Sequence, residues 1–213
     1  MCREKGVTAT QYIVSLLIYS IYLNQPQCLK SKKPIKIFVP VNLRKYFDVN
    51  TLRNFSLYIK VTIDTFDKKL EFEDILEETK RQFTEQLNKE HLLKRVNANV
   101  GIEKNFFIRI LPSFIKNLGY KIGYHLYGES VSTSYVSNLG KVDLPSQMYD
   151  FINNVDFVNA GENLYLTMVT LQDKMNIIFS SRLIDKSIIY KIIKTLQDSN
   201  IKVTIQTNFG GDE

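Results

Sequence analysis

The residues best suited to chemistry lie between Ser130 and Gly140, where Ser130, Ser132, Thr133, Ser134 and Ser137 lead into Asn138, Leu139 and Gly140. Five hydroxyls on one short strand exceed what a dry core readily satisfies, since each unmade buried hydrogen bond costs about 1–3 kcal/mol. They are expected to face solvent, a substrate or another folded unit, with Ser137 to Gly140 at an open edge or groove. Gly140 suits a turn that needs positive φ.

The general bases are few. His91 sits in Lys89-Glu90-His91-Leu92 and reads as a solvated helix-surface residue, whereas His125, in Tyr124-His125-Leu126, reads as a hydrogen-bonded core or helix-terminal histidine. No G-x-S-x-G elbow supports a Ser-His-Asp triad. Cys2 and Cys28 are the only cysteines, too few for a disulfide framework or a structural metal site, and both are expected to be reduced. The Gly210-Gly211 pair ends the chain without the helix that a phosphate loop requires. No catalytic residue and no metal ligand is assigned.

Charge favours an anionic partner, because the formal net charge is +6 and the sequence pI is about 9.1. Lys30, Lys32 and Lys33 form the densest basic cluster and read as a solvated loop before a strand. No zinc-finger spacing, RNP-like motif or helix-turn-helix pattern accompanies them, which argues against nucleic acid. The apolar run Tyr12 to Leu23 is too short to span a bilayer and contains Ser15 and Ser20. Glu4 before it and the lack of a small-residue cleavage site argue against a signal peptide, so a buried helix of a cytoplasmic protein is expected.

The elements that must hold the Ser130 to Gly140 segment are legible in outline. Thr8 and Gln11 predict a capping box at the start of the first helix, and its apolar residues run around the cylinder, so it needs cover on more than one side. Ile35 to Val41 reads as a strand ended by Pro40, and Asn54 to Asp64 as a strand with Phe55, Leu57, Ile59, Val61 and Ile63 on one face. Phe72 to Val96 reads as one long helix with Ile75, Leu76, Phe83 and Leu87 buried, and Ile108 to Tyr127 as a second helix that Pro112 starts or kinks. Gly119 and Gly123 would allow close packing there.

Strands near Val131–Ser137, Asn163–Leu171 and Met175–Ser181 follow, with a turn at Gln172-Asp173-Lys174. A helix capped by Asp185 and a last strand at Ile201–Ile205 complete the pattern. The fold class expected is α/β (α+β): a two-layer sandwich with a mixed, mainly antiparallel sheet of about five or six strands and helices on one face. Residues 1–207 are expected to form a single lobe, with 208–213 as a flexible tail.

Four short motifs in this order resemble one family. Glu4-Lys5-Gly6-Val7-Thr8-Ala9-Thr10-Gln11-Tyr12 resembles the "GvT" helix start in the condensation-domain superfamily, which includes alcohol O-acetyltransferases, wax-ester synthases and peptide-synthetase condensation domains. Val39-Pro40-Val41-Asn42-Leu43-Arg44 is similar to its "vpvdlR" strand end, Arg53-Asn54-Phe55 to its "gNf" strand start, and Ser137-Asn138-Leu139-Gly140 to its "SNlG" turn, most of all in the alcohol acetyltransferase branch. Ser132-Thr133-Ser134 is similar to the S-T-S strand of carnitine acyltransferases, whose hydroxyls help bind substrate and oxyanion. The motifs span Glu4 to Gly140, and the resemblance implies a lobe that extends to about Thr207.

The resemblance implies the C-terminal lobe of a two-lobe, CoA-dependent acyltransferase fold, with a separate N-terminal lobe as partner. That other lobe would carry H-H-x-x-x-D-G, whose second His acts as general base on an alcohol or amine acceptor that attacks an acyl thioester; the motif does not occur in these residues. This lobe would wall the tunnel with Ser132, Thr133, Ser134, Ser137, Asn138 and Gly140, and the cosubstrate of the complete enzyme would be acetyl-CoA or another acyl thioester, with no covalent cofactor. Arg44 could grip a phosphate, but the resemblance implies a structural tie at the strand end; Asn54 either bonds a substrate or anchors its strand. A second reading is a non-catalytic homologue that binds a protein or carrier, and the apolar surface left by a missing lobe is open to self-association.

Overall fold

The computed structural model describes residues 1–24, 32–106, 110–127, 132–159, 161 and 164–208. Cys28, Lys30, Ser130, Val131 and the Gly210-Gly211 pair lie outside the described residues, as does the His125 side chain. The elements run α1 (Ala9–Asn24), β1 (Ile35–Asn42), β2 (Ser56–Ile63), α2 (Phe72–Gln86), α3 (Lys89–Lys104), α4 (Ser113–Tyr127), β3 (Ser134–Val142), β4 (Leu164–Leu171), β5 (Lys174–Ser180) and α5 (Ser187–Asp198).

The five strands form one mixed sheet in the order β2-β1-β3-β4-β5. Its two outer pairings, β2 with β1 and β4 with β5, are antiparallel and form long ladders, while β1 with β3 and β3 with β4 are parallel. This is an α+β sandwich of the expected class.

The helix α1 occupies the middle of the helical layer. Gln11 N–H donates to Thr8 Oγ1 at 3.2 Å and Thr8 N–H to Gln11 Oε1 at 2.7 Å, so the two residues satisfy each other's free donors as a capping box does. From Tyr12 to Ile18 every residue is buried, because α2 and α5 flank the helix and the sheet lies beneath it. Ile35, Ile37 and Val39 of β1, Ile59, Val61 and Ile63 of β2, Val136 of β3, and Leu164, Leu166 and Met168 of β4 supply the sheet's share of that core. Alternation by two puts all of them on one face.

On the other face lies a row of rings. Tyr135 stacks on Tyr165 at 4.5 Å between centroids and on Phe38 at 5.7 Å, and Phe38 meets Tyr58 edge-on at 4.7 Å. Neighbouring strands thus contribute one ring each from β2 to β4. Such ring pairs add about 0.5–1.5 kcal/mol each beyond burial.

Three expected elements are corrected. The helix expected from Phe72 to Val96 breaks at Leu87-Asn88, because Asn88 caps a new helix: its Oδ1 accepts the Glu90 N–H and its carbonyl accepts the Leu92 N–H. The strand expected at Ile201–Ile205 is absent. Asn200 takes φ +58° and Ile201 N–H closes onto Leu196 O, so that segment begins as the terminator of α5 instead of as a ladder partner. Pro40 does not end β1, which continues to Asn42 against β2.

Candidate functional site

The role of Pro40 follows from the register. Tyr58, Lys60 and Thr62 of β2 turn their backbone groups away from β1, where Arg95 Nη1, Gln86 and Gln82 bond them. Their partners on β1 are Pro40, Phe38 and Lys36, which therefore turn theirs toward β3. Lys36 O accepts the Thr133 N–H at 2.8 Å and Lys36 N–H donates to Thr133 Oγ1 at 3.0 Å. Pro40, on the same side, has no N–H to offer. The β1–β3 ladder accordingly holds only Ile37 with Ser134 and Phe38 with Tyr135, and beyond those pairs the two parallel strands part.

The Ser137–Gly140 segment lies on β3 just past that parting. Across from it, β4 keeps its register through Asn138 with Met168 and resumes at Lys141 with Thr170, so β3 carries one extra residue between them. Gly140 has φ +88° there and its N–H donates to Asn138 Oδ1 at 2.8 Å. This is a β-bulge that glycine's freedom permits, and Leu139 within it is exposed. Asn138 also donates from Nδ2 to Thr10 Oγ1 at 3.0 Å, joining the bulge to the first turn of α1.

The expected site residues separate into different environments. Ser134 is fully buried and its Oγ donates to Leu164 O, so it serves the β3–β4 join. Thr133 is exposed and knits β1 to β3, and Ser132 is half-buried. Ser137 is half-buried, on the same face as Tyr135, with no side-chain partner among the described residues. The expectation of an edge fails in one respect: β3 is the central strand, and the opening beside it comes from the parting of β1.

Arg44 donates from Nε and Nη2 to Thr51 O at 3.0 and 2.8 Å, and from Nη2 to Arg53 O. Its guanidinium thus closes the loop between β1 and β2. Asn54 accepts from Ser56 Oγ at 2.7 Å, at the start of β2. His91 is exposed on α3.

The ring row and the cations beside it were not anticipated. Lys60 Nζ stands 4.9 Å over the Phe38 ring and the Arg95 guanidinium 5.3 Å over Tyr58. Desolvation, then repulsion from Lys36 and Arg95, holds the Lys60 ammonium below the usual lysine pKa. The available signal was the set Phe38, Tyr58, Tyr135 and Tyr165, each on the strand face opposite the aliphatic core.

Among the described residues no group of three His, Cys, Asp or Glu side chains could hold a metal, and no helix is long and apolar enough to cross a membrane. Two depressions, one lined by Lys32, Pro34, Thr62, Asp64 and Phe66 and the other centred on Thr62 to Lys68 and α2, include no residue from Ser132 to Gly140.

No family model matches the chain, and no curated protein matches it. Among solved structures the chain is similar to the first condensation domain of the CDA synthetase, with 12% identity and a TM-score of 0.42, over 84% of this chain and 34% of that one. It is likewise similar to the epimerization domain from the third module of tyrocidine synthetase B, with 12% identity and a TM-score of 0.42, over 91% of this chain and 41% of that one. The chain therefore spans well under half the length of either structure.

Proposed function

We propose that this chain is the C-terminal lobe of a CoA- or carrier-dependent acyltransferase of the alcohol O-acetyltransferase type. It walls a tunnel in which an acyl thioester such as acetyl-CoA meets an alcohol or amine in the cytoplasm. The observation that carries this reading is the hydrogen bond from Asn138 to Thr10. It ties the "SNlG" and "GvT" segments together across 128 residues. Two motifs that resemble one family separately are here one structural unit, beside a parting of two parallel strands.

The chemistry divides between lobes. A general base is worth about 10²–10⁴-fold, and the sequence has no H-H-x-x-x-D-G to supply it, so that base belongs to the partner lobe. This lobe contributes the half-buried Ser137 hydroxyl, the bulge backbone at Leu139 and Gly140, and the gap between β1 and β3 as the place that receives a pantetheine arm.

The test uses the chain as it stands. Backbone amide shifts are recorded while acetyl-CoA or phosphopantetheine is titrated in, and thiol release is followed with alcohol acceptors. The reading expects perturbations clustered at Val136–Lys141 and Val39–Asn42, with thiol release at background. Perturbations elsewhere, or turnover that survives His91→Ala and His125→Ala, would overturn it. Binding of a protein that bears no phosphopantetheine, without any response to acyl-CoA or phosphopantetheine, would favour the non-catalytic binding module.

A further inference from the structure

The helix α4 presents its apolar stripe to solvent. At 100° per residue, Phe114, Leu118, Ile122 and Ile115 fall within about 100° of arc, the width of a stripe that normally faces a core. Here Phe114 is 73% exposed, Leu118 59% and Ile122 52%, and no described residue of α4 belongs to the buried core. Ile110 and Leu111, just before the helix, are exposed as well. Gly119 and Gly123, expected to mark a close helix contact, have no neighbouring atom within 4 Å of an added Cβ.

Charge identifies what fits this surface. Between Glu103 and Glu129 the sequence carries Lys104, Arg109, Lys116 and Lys121 and no Asp or Glu, so the charged residues of α4 itself, Lys116 and Lys121, are all basic. A second copy of the chain would bring a like-charged stretch against it. An anionic lipid surface offers acyl chains to the stripe and negative headgroups to Lys121, which falls about 20° outside the stripe's edge, while Lys116 and Tyr120 lie on the opposite side of the helix.

We propose that α4 lies in the plane of an anionic lipid surface, with Phe114, Ile115, Leu118 and Ile122 seated among the acyl chains and Lys121 at headgroup level. The reading is independent of any acyl transfer, since it rests on no residue of β1 or β3.

The test is cosedimentation of the chain with phosphatidylcholine vesicles and with vesicles of roughly 7:3 phosphatidylcholine to phosphatidylserine; about tenfold stronger association with the latter is expected, weakened by salt. Leu118→Glu with Ile122→Glu should abolish association while leaving the far-UV spectrum and Tm of the core intact, because neither side chain packs against it. Lys116→Gln with Lys121→Gln should reduce association severalfold and remove the preference for phosphatidylserine. Equal binding to both vesicles, or none to either, would overturn the proposal. So would a dimer that forms without vesicles and is abolished by Leu118→Glu, which would give the stripe to a second copy.

Discussion

Asn138 uses both ends of its side-chain amide: Nδ2 donates to Thr10 Oγ1 at 3.0 Å, and Oδ1 accepts the Gly140 N–H at 2.8 Å. It therefore fixes the bulge and ties it to α1 together. Asn138→Ala should cost about 1–2 kcal/mol of folding stability, the sum of two ordinary hydrogen bonds. Thr10→Ala should cost less, and the double variant should show about 0.5–1 kcal/mol of coupling. Denaturant titration of the four chains measures this; strict additivity would mean that the two side chains do not interact.

Gly140 stands at φ +88°, and a methyl group added there would meet nothing within 4 Å, so space is not its constraint. Backbone conformation is. Gly140→Ala should destabilise by about 1 kcal/mol through strain alone, while Gly140→Asn, which tolerates positive φ better, should recover part of the loss. Equal losses for both would point to steric crowding.

What was legible in the sequence is what local pattern and capping dictate. The Thr8–Gln11 box, the aliphatic face of β2 and the Gln172 turn all follow from residues a few positions apart. The break at Asn88 was hidden because the helical period continues on both sides of it, and a cap is visible only when its side chain is seen to fold back. The parting of β1 from β3 was hidden for a different reason. Pro40 announces a missing donor, but which neighbour loses it depends on the register with Tyr58, and register is a long-range property. The same holds for Ser134, read as a tunnel hydroxyl, which turns into the β3–β4 join.

Lys60 predicts a pH response. Its folded-state pKa is depressed, so between that value and the ordinary lysine value the unfolded chain binds more protons than the folded one. Stability should therefore rise with pH across this alkaline window, and the penalty should be fully present below it. Lys60→Met removes the titrating group and should flatten that rise relative to the parent chain in urea titrations from neutral to alkaline pH. An unchanged slope would show that Lys60 is as well solvated folded as unfolded.

The outer edge of β2 is closed by side chains instead of by another strand. Gln86 accepts the Lys60 N–H at 3.0 Å and donates to Lys60 O at 2.9 Å; Gln82, one turn earlier on α2, does the same for Thr62 at 2.9 and 2.7 Å. Each amide imitates the donor and acceptor of a neighbouring strand residue, and their four-residue spacing on one helix face matches the two-residue spacing of outward groups on β2. An uncovered edge is a template for pairing with other chains. Gln82→Ala with Gln86→Ala should thus cost about 1–3 kcal/mol in total and, more diagnostically, raise the aggregation rate near Tm. Gln86→Glu separates the two functions, because its carboxylate still accepts the Lys60 N–H but cannot donate to Lys60 O at neutral pH. It should be destabilised yet remain monomeric, since a negative charge at the edge discourages pairing. Light scattering alongside thermal melting distinguishes these outcomes, and an alanine double variant that melts lower without aggregating faster would mean that the glutamines hold α2 in place without protecting the edge.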